Sequence, residues 1–133
     1  MEEAKESMSP LQRTHEYLRE LNMLVAKTEH WNHFAKCRQD LFGLVDTMAL
    51  PLFKWEQPWC IQTTTDDHRA EHRTKIMKHK NTPILLRHVT FELWSWGTHG
   101  KRGRRKLWTV HRTGFSIDAK GKVTSFDSND PLT

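Results

Sequence analysis

The sequence predicts one α/β (α+β) domain with elements in the order α-β-β-β-α-β-β, and three observations carry that prediction. Residues 9–24 and 65–80 repeat their apolar side chains at helical spacing. Around them lie short runs rich in β-branched and aromatic residues, separated by glycine and proline turns. A length of 133 residues fits one core and leaves no room for a second of comparable size. Only 36% of the residues are hydrophobic, yet six Trp and six Phe supply bulky burial, which excludes a disordered chain.

Ser9-Pro10-Leu11-Gln12 has the form of a capping box with proline at the first helical position, so a helix starts here and is expected to run to about Leu24. Leu11, Leu18, Leu21 and Val25 recur at helical spacing while Arg13, Glu16, Arg19 and Glu20 take other faces, so the helix packs through its leucines. Residues 25–34 read as an irregular first strand ending near the polar segment 36–40. A strand at 44–50 follows a turn at Gly43, and 59–64 is its hairpin partner across the 51–58 loop, which makes Asp46 an acid inside an apolar strand. Thr65, Asp66 and Asp67 can cap a second helix, which Asn81, Thr82 and Pro83 stop. Residues 91–96 alternate as a strand with 106–115 as its partner, and 97–105 is a loop too glycine-rich and self-repelling to pack on a core. The domain is therefore expected to span 9–116, with 1–8 and 117–133 as tails.

The net charge of +5 hides an asymmetry. Residues 1–67 hold 7 basic and 11 acidic side chains, whereas 68–122 hold 14 and 3. A field of that sign implies an anionic partner, whether DNA, RNA or an acidic lipid surface. The run Lys101, Arg102, Arg104, Arg105 and Lys106, set among glycines that allow close approach, is the clearest phosphate-backbone contact. Trp94, Trp96 and Trp108 are read as core for at least two of the three, leaving the remainder to stack on bases. Cys37 and Cys60 read as free thiols. No run approaches the roughly 18 to 20 apolar residues of a membrane span, and the start resembles no signal peptide, so a soluble cytoplasmic protein is expected. No P-loop, dinucleotide fingerprint or serine nucleophile elbow is present, and no organic cofactor is implied.

An acid on the middle strand, polar side chains on the next and a basic helix after it form a compact way to hold a divalent metal against a phosphate. The segments Arg38-Gln39-Asp40-Leu41-Phe42-Gly43-Leu44-Val45-Asp46, Ile61-Gln62-Thr63-Thr64 and Arg73-Thr74-Lys75-Ile76 occur in that order. Trp96, Gly100-Lys101-Arg102 and Arg105-Lys106-Leu107-Trp108 follow them. Together they resemble small phage and prophage members of the PD-(D/E)XK nuclease superfamily, over residues 10–112. The resemblance implies the restriction-endonuclease-like fold, a mixed central β-sheet flanked by helices, with Mg²⁺- or Mn²⁺-dependent phosphodiester hydrolysis.

Within that resemblance Asp46 stands for the acid of the first motif, Gln62 stands where the second acid usually sits, and Thr64 occupies the position normally held by lysine. Glutamine offers only a neutral amide oxygen and threonine no positive charge, so both depart from the pattern. Lys75, on the helix that follows, can return the missing ammonium. The implied catalytic set is Asp46, Gln62, Thr64 and Lys75, and the metal set is Asp46, Gln62, Asp40 and Glu29, with Glu16 or Glu20 as other sources of a third oxygen. Arg38, Arg69 and Arg73 join the 101–106 run as nucleic-acid contacts.

Two zinc motifs compete for attention. His68-Arg69-Ala70-Glu71-His72 matches the H-x-x-E-H pattern of inverted zinc peptidases but has no evident third ligand, so phosphate contact or plain surface is the expected role. His30, His33, Cys37 and Cys60 do not have the spacing of a standard finger. The leading expectation is a phage-associated DNA nuclease of the host cytoplasm, selective for structure or ends, in which a homodimer would reach two strands. The alternatives are a nucleic-acid-binding accessory protein whose active site has decayed, and an interaction protein that blocks a host factor.

Overall fold

In the computed structural model the described residues are 8–52, 56–100 and 106–128. The capping box forms: the Gln12 amide donates to Ser9 Oγ at 3.2 Å and the Ser9 amide to Gln12 Oε1 at 2.9 Å, opening α1 (Pro10–Glu20). The helix ends before the expected Leu24 because Asn22 turns to a φ of 60°, with its amide bonded back to the Arg19 carbonyl. The expected strand at 25–34 is split into β1 (Leu24–Lys27) and β2 (His30–Asn32). Asn32 Oδ1 accepts from the Phe34 and Ala35 amides at 2.9 and 3.0 Å, and this turn leads through Lys36, at a φ of 51°, into β3 (Cys37–Gln39).

The strand expected at 44–50 begins only at Thr47, giving β4 (Thr47–Leu50). The residues before it close a tight turn at the Leu41–Val45 bridge, with Phe42 and Gly43 at φ values of 57° and 75°. Glycine is required at 43 on two counts, since a Cβ there would also stand 2.9 Å from His79 Nε2. β5 (Trp59–Thr65) runs into a 3₁₀ turn, Asp66–His68, and α2 (Arg69–Lys78). The expected side-chain cap from residues 65–67 does not form. α2 ends before Asn81, Thr82 and Pro83 as expected, and Pro83 then stands in the first turn of a further short helix, α3 (Thr82–Leu86). β6 (Thr90–His99) extends three residues into the expected basic loop and pairs with β7 (Leu107–Ile117).

The segment expected as a C-terminal tail from 117 onward instead contributes β8 (Val123–Asp127), paired antiparallel with β7. The turn that returns it is built locally: Asp118 Oδ1 accepts from the Lys120 and Lys122 amides at 2.9 and 2.8 Å, and Gly121 takes a φ of 83°. Val123 then enters the core, so the sheet reaches Asp127 rather than closing at 116.

The result is a mixed α+β fold whose six-stranded sheet, in the order β1-β4-β5-β6-β7-β8, is antiparallel except at β5–β6. That parallel pair is joined by the crossover through α2 and α3. Strand alternation sorts the core into two faces. Ile61, Trp94 and Trp96 pack with Leu18 of α1 on one, while Cys60, Leu93 and Phe91 pack with Ile76 of α2 and Leu85 of α3 on the other. Two of the three singled-out tryptophans are thus core, and the third, Trp108, lies under the Arg13 guanidinium at 3.8 Å. Cys37 and Cys60 are free thiols. Among the described residues no helix is long and apolar enough to cross a membrane.

One buried ion pair spans the sheet. Arg112 Nε and Nη2 donate to the two oxygens of Glu92 at 2.7 and 2.9 Å, and Trp94 Nε1 and Ser128 Oγ donate to the same carboxylate at 2.9 and 3.0 Å. Glu92→Ala would remove the buried carboxylate that accepts from Arg112, Trp94 and Ser128 together, so we expect a loss of about 3 to 5 kcal/mol in urea unfolding; a loss below about 1 kcal/mol would show that water reaches the pair.

Candidate metal centre

Three hairpin registers meet at one point. β2–β3 pairs His30 with Gln39, so one further step sets Glu29 opposite Asp40. The Leu41–Val45 bridge, continued one step, sets Asp40 opposite Asp46. β1–β4 pairs Lys27 with Thr47, and beyond that pair the Thr28 and Glu29 amides both donate to the Asp46 carbonyl, at 2.9 and 3.3 Å. Thr28 Oγ1 adds a bond to the Val45 carbonyl at 2.7 Å. The backbone therefore brings the carboxylates of Glu29, Asp40 and Asp46 together, with ligand-capable atoms all within 4.8 Å of one another. They are the one group of at least three metal-capable His, Cys, Asp or Glu side chains among the described residues.

Asp46 is buried, and its carboxyl is pushed up to about 8. Burial is the largest cause, followed by the hydrogen bond with Asp40; the charges of Asp40 and Glu29 push the same way. The opposing pull comes from Thr63, whose amide and hydroxyl donate to Asp46 Oδ2 at 2.8 and 3.3 Å. Lys27 and Arg38 approach Glu29 at 3.9 and 3.4 Å, but among the described residues no cation forms an ion pair with Asp40 or Asp46. At neutral pH the group holds a proton where a cation would otherwise balance its charge. Carboxylate oxygens at this spacing are the donor set that suits a hard divalent ion.

Gln62, on β5, is held at both ends of its amide. Nε2 donates to the Leu44 carbonyl at 2.8 Å, and Oε1 accepts from His72 Nδ1 at 2.6 Å. Since Leu44 O can only accept, the amide orientation is settled, and His72 must carry its proton on Nδ1. Burial, with Lys75 and His68 beside it, holds the His72 pKa below the usual histidine range, leaving Nε2 an open lone pair at neutral pH. The amide oxygen expected to face a metal is thus engaged by His72. Thr64 is buried two residues further along the same strand face, and Lys75 is exposed on α2, one turn beyond His72.

Other expected residues lie elsewhere. Glu16 and Glu20 are on α1, where they line a groove with His15 and Arg19, and they do not join the carboxylate group. Arg38 is exposed on β3, Arg69 lies 3.7 Å from Asp66 at the start of α2, and Arg73 and Lys106 are exposed. Lys101, Arg102, Arg104 and Arg105 lie outside the described residues. Neither zinc motif assembles among the described residues: Cys60 is in the core and Cys37 exposed, while His68 meets Glu71 at 3.2 Å and His72 turns to Gln62. For His72 the sequence reading expected phosphate contact or plain surface; the signal for its place against Gln62 was its position one helical turn before the apolar Ile76, on the side of α2 that meets the sheet.

No protein-family model, curated protein or solved structure matches the chain.

A carboxyl whose pKa is about 8 in the fold, against about 4 unfolded, keeps a proton that the unfolded chain releases, so its stabilising contribution is lost as pH rises through that window. His72, lowered in the fold, acts only below about pH 6.5. In EDTA the melting temperature should therefore fall between about pH 6.5 and 8, and Asp46→Asn, which cannot ionise, should flatten that fall. Parallel profiles for the two proteins would show that Asp46 is ionised throughout.

Proposed function

We propose that the chain is a metal-dependent DNA nuclease of the PD-(D/E)XK type with a restriction-endonuclease-like fold, holding Mg²⁺ or Mn²⁺ at Glu29, Asp40 and Asp46. The observation that carries this reading is the buried Asp46 carboxyl, pushed up to about 8 where two other acids converge on it. Like charges gathered in a partly buried site burden the ligand-free fold and are relieved by a cation. The element order supports the same reading: α1, the antiparallel strands β1, β4 and β5, then α2 and the parallel strand β6. Asp46 immediately precedes β4, and Gln62 and Thr64 lie on the neighbouring β5.

When bound, the metal supplies Lewis acidity toward a phosphate oxygen and lowers the pKa of a bound water. The chain's own residues do the rest. Thr63 fixes the Asp46 carboxylate, while Gln62 fixes the His72 ring with its lone pair on Nε2, which suits it to accept a proton from attacking water. Lys75, exposed on the neighbouring turn of α2, supplies positive charge to the phosphate in place of the lysine that Thr64 lacks. Arg73 and the 101–106 run bind the flanking backbone, and a homodimer would serve two strands. The second reading, a DNA- or RNA-binding accessory protein without catalysis, is favoured by Thr64, a buried neutral hydroxyl where the pattern has an ammonium.

Incubating the protein with supercoiled, linear, single-stranded and branched DNA under Mg²⁺ and Mn²⁺ separates the two. We expect metal-dependent cleavage that falls at least about 100-fold in Asp46→Ala; equal cleavage by the variant would sink the assigned site. Salt-sensitive retardation with no cleavage by either protein would establish the accessory reading. Lys75→Ala should lower turnover about tenfold or more, and Lys120→Ala, in the turn between β7 and β8, should not. Equal effects would remove Lys75 from the site.

A further inference from the structure

The β2–β3 hairpin carries aromatic surface that the core does not use. Trp31 is 50% exposed and belongs to neither core cluster, and Phe34, in the turn between the strands, is 99% exposed. Alternation decides which face these groups share. Trp31 and Arg38 pair across the hairpin, and each is two residues from an acid of the cluster, Glu29 on one strand and Asp40 on the other. Residues two apart point to the same face, so Trp31 and Arg38 continue the face that bears the carboxylates, about 7 Å further along. The Arg38–Glu29 ion pair at 3.4 Å reports that shared face, and 70% of the Arg38 side chain remains exposed.

A half-exposed indole beside an exposed guanidinium is what a nucleotide needs, a flat apolar partner for the base and a forked cation for its phosphate. Lys36 adds positive charge to the same arm, and Lys27, at the end of β1, lies 3.9 Å from Glu29 at its base. An intact duplex keeps its base faces stacked, so only an unpaired base can reach the ring. We propose that Trp31 and Arg38 form a subsite for the unpaired nucleotide that adjoins the scissile phosphate, which makes single-stranded DNA, or a duplex opened at the cleavage point, the substrate class. The inference rests on the nuclease reading for the neighbouring phosphate, but its test does not depend on cleavage.

Fluorescence anisotropy of labelled oligo-dT, oligo-U and a blunt-ended two-strand duplex, all in EDTA, tests it. Trp31→Ala should weaken oligo-dT binding about 5- to 100-fold, Trp31→Phe should restore it to within about threefold, and duplex binding should change less than about twofold. Arg38→Ala should weaken oligo-dT and reduce its salt slope by about one. The subsite is overturned if the unaltered protein fails to bind oligo-dT, if Trp31→Ala binds it equally well, if the loss is the same on duplex, or if the loss appears on oligo-U alone. Loss of oligo-dT binding in Trp31→Ala with no metal-dependent cleavage by any variant would leave the subsite standing and remove the nuclease. Asp46-dependent cleavage of single strands that Trp31→Ala performs unchanged would do the reverse.

Discussion

The carbonyl of Asp46 is the point on which the arrangement depends. It accepts from two successive amides, Thr28 and Glu29, just where β1 leaves the sheet, and this ends the β1–β4 ladder and turns the chain into the β2–β3 hairpin. The same residue follows the tight turn at Phe42 and Gly43, and its side chain meets Asp40. Backbone pairing and acid clustering are therefore one constraint. Three carboxylates approach because three hairpin registers converge, and moving any register by one residue would turn its acid to the opposite face.

The two faces of the sheet divide the remaining work. The α1 face is closed by tryptophans and by the Glu92–Arg112 pair, whose carboxylate is saturated with donors and therefore has nothing left to offer a ligand. The α2 face carries Gln62, Thr64 and His72, polar groups next to an apolar core that ends at Leu44 and Val45. Both acids are buried and hydrogen-bonded, and the difference between Glu92 and Asp46 is that Glu92 pairs with Arg112 whereas Asp46 meets Asp40.

Much of this was legible in the sequence where the signal is local. The Ser9-Pro10-Leu11-Gln12 cap, the β5 strand and the β6–β7 pair follow from capping and alternation, and Asp46 stands out as an acid in an apolar run. What was not legible depends on long-range register or on unfavourable backbone. Phe42, a bulky aromatic at positive φ, carries no sequence signature of its turn, yet that turn shortens the expected strand and sets Asp40 against Asp46. β8 was lost because its strand pattern is brief and follows a polar turn. His72 was hidden inside a pattern that suggests zinc; its partner, Gln62, is brought to it by the packing of α2 on β5.

The β2–β3 arm begins and ends at the facing residues Glu29 and Asp40, and the β1–β4 ladder and the Leu41–Val45 bridge hold its base. An insertion of this kind is closed at its base and carries none of the sheet's ladder; lengthening it costs only about 0.6 kcal/mol for each doubling. The arm is thus an exchangeable part. Descendants of this fold could lengthen, shorten or replace residues 31–38 while the His30–Gln39 pair keeps the carboxylates and the sheet where they are.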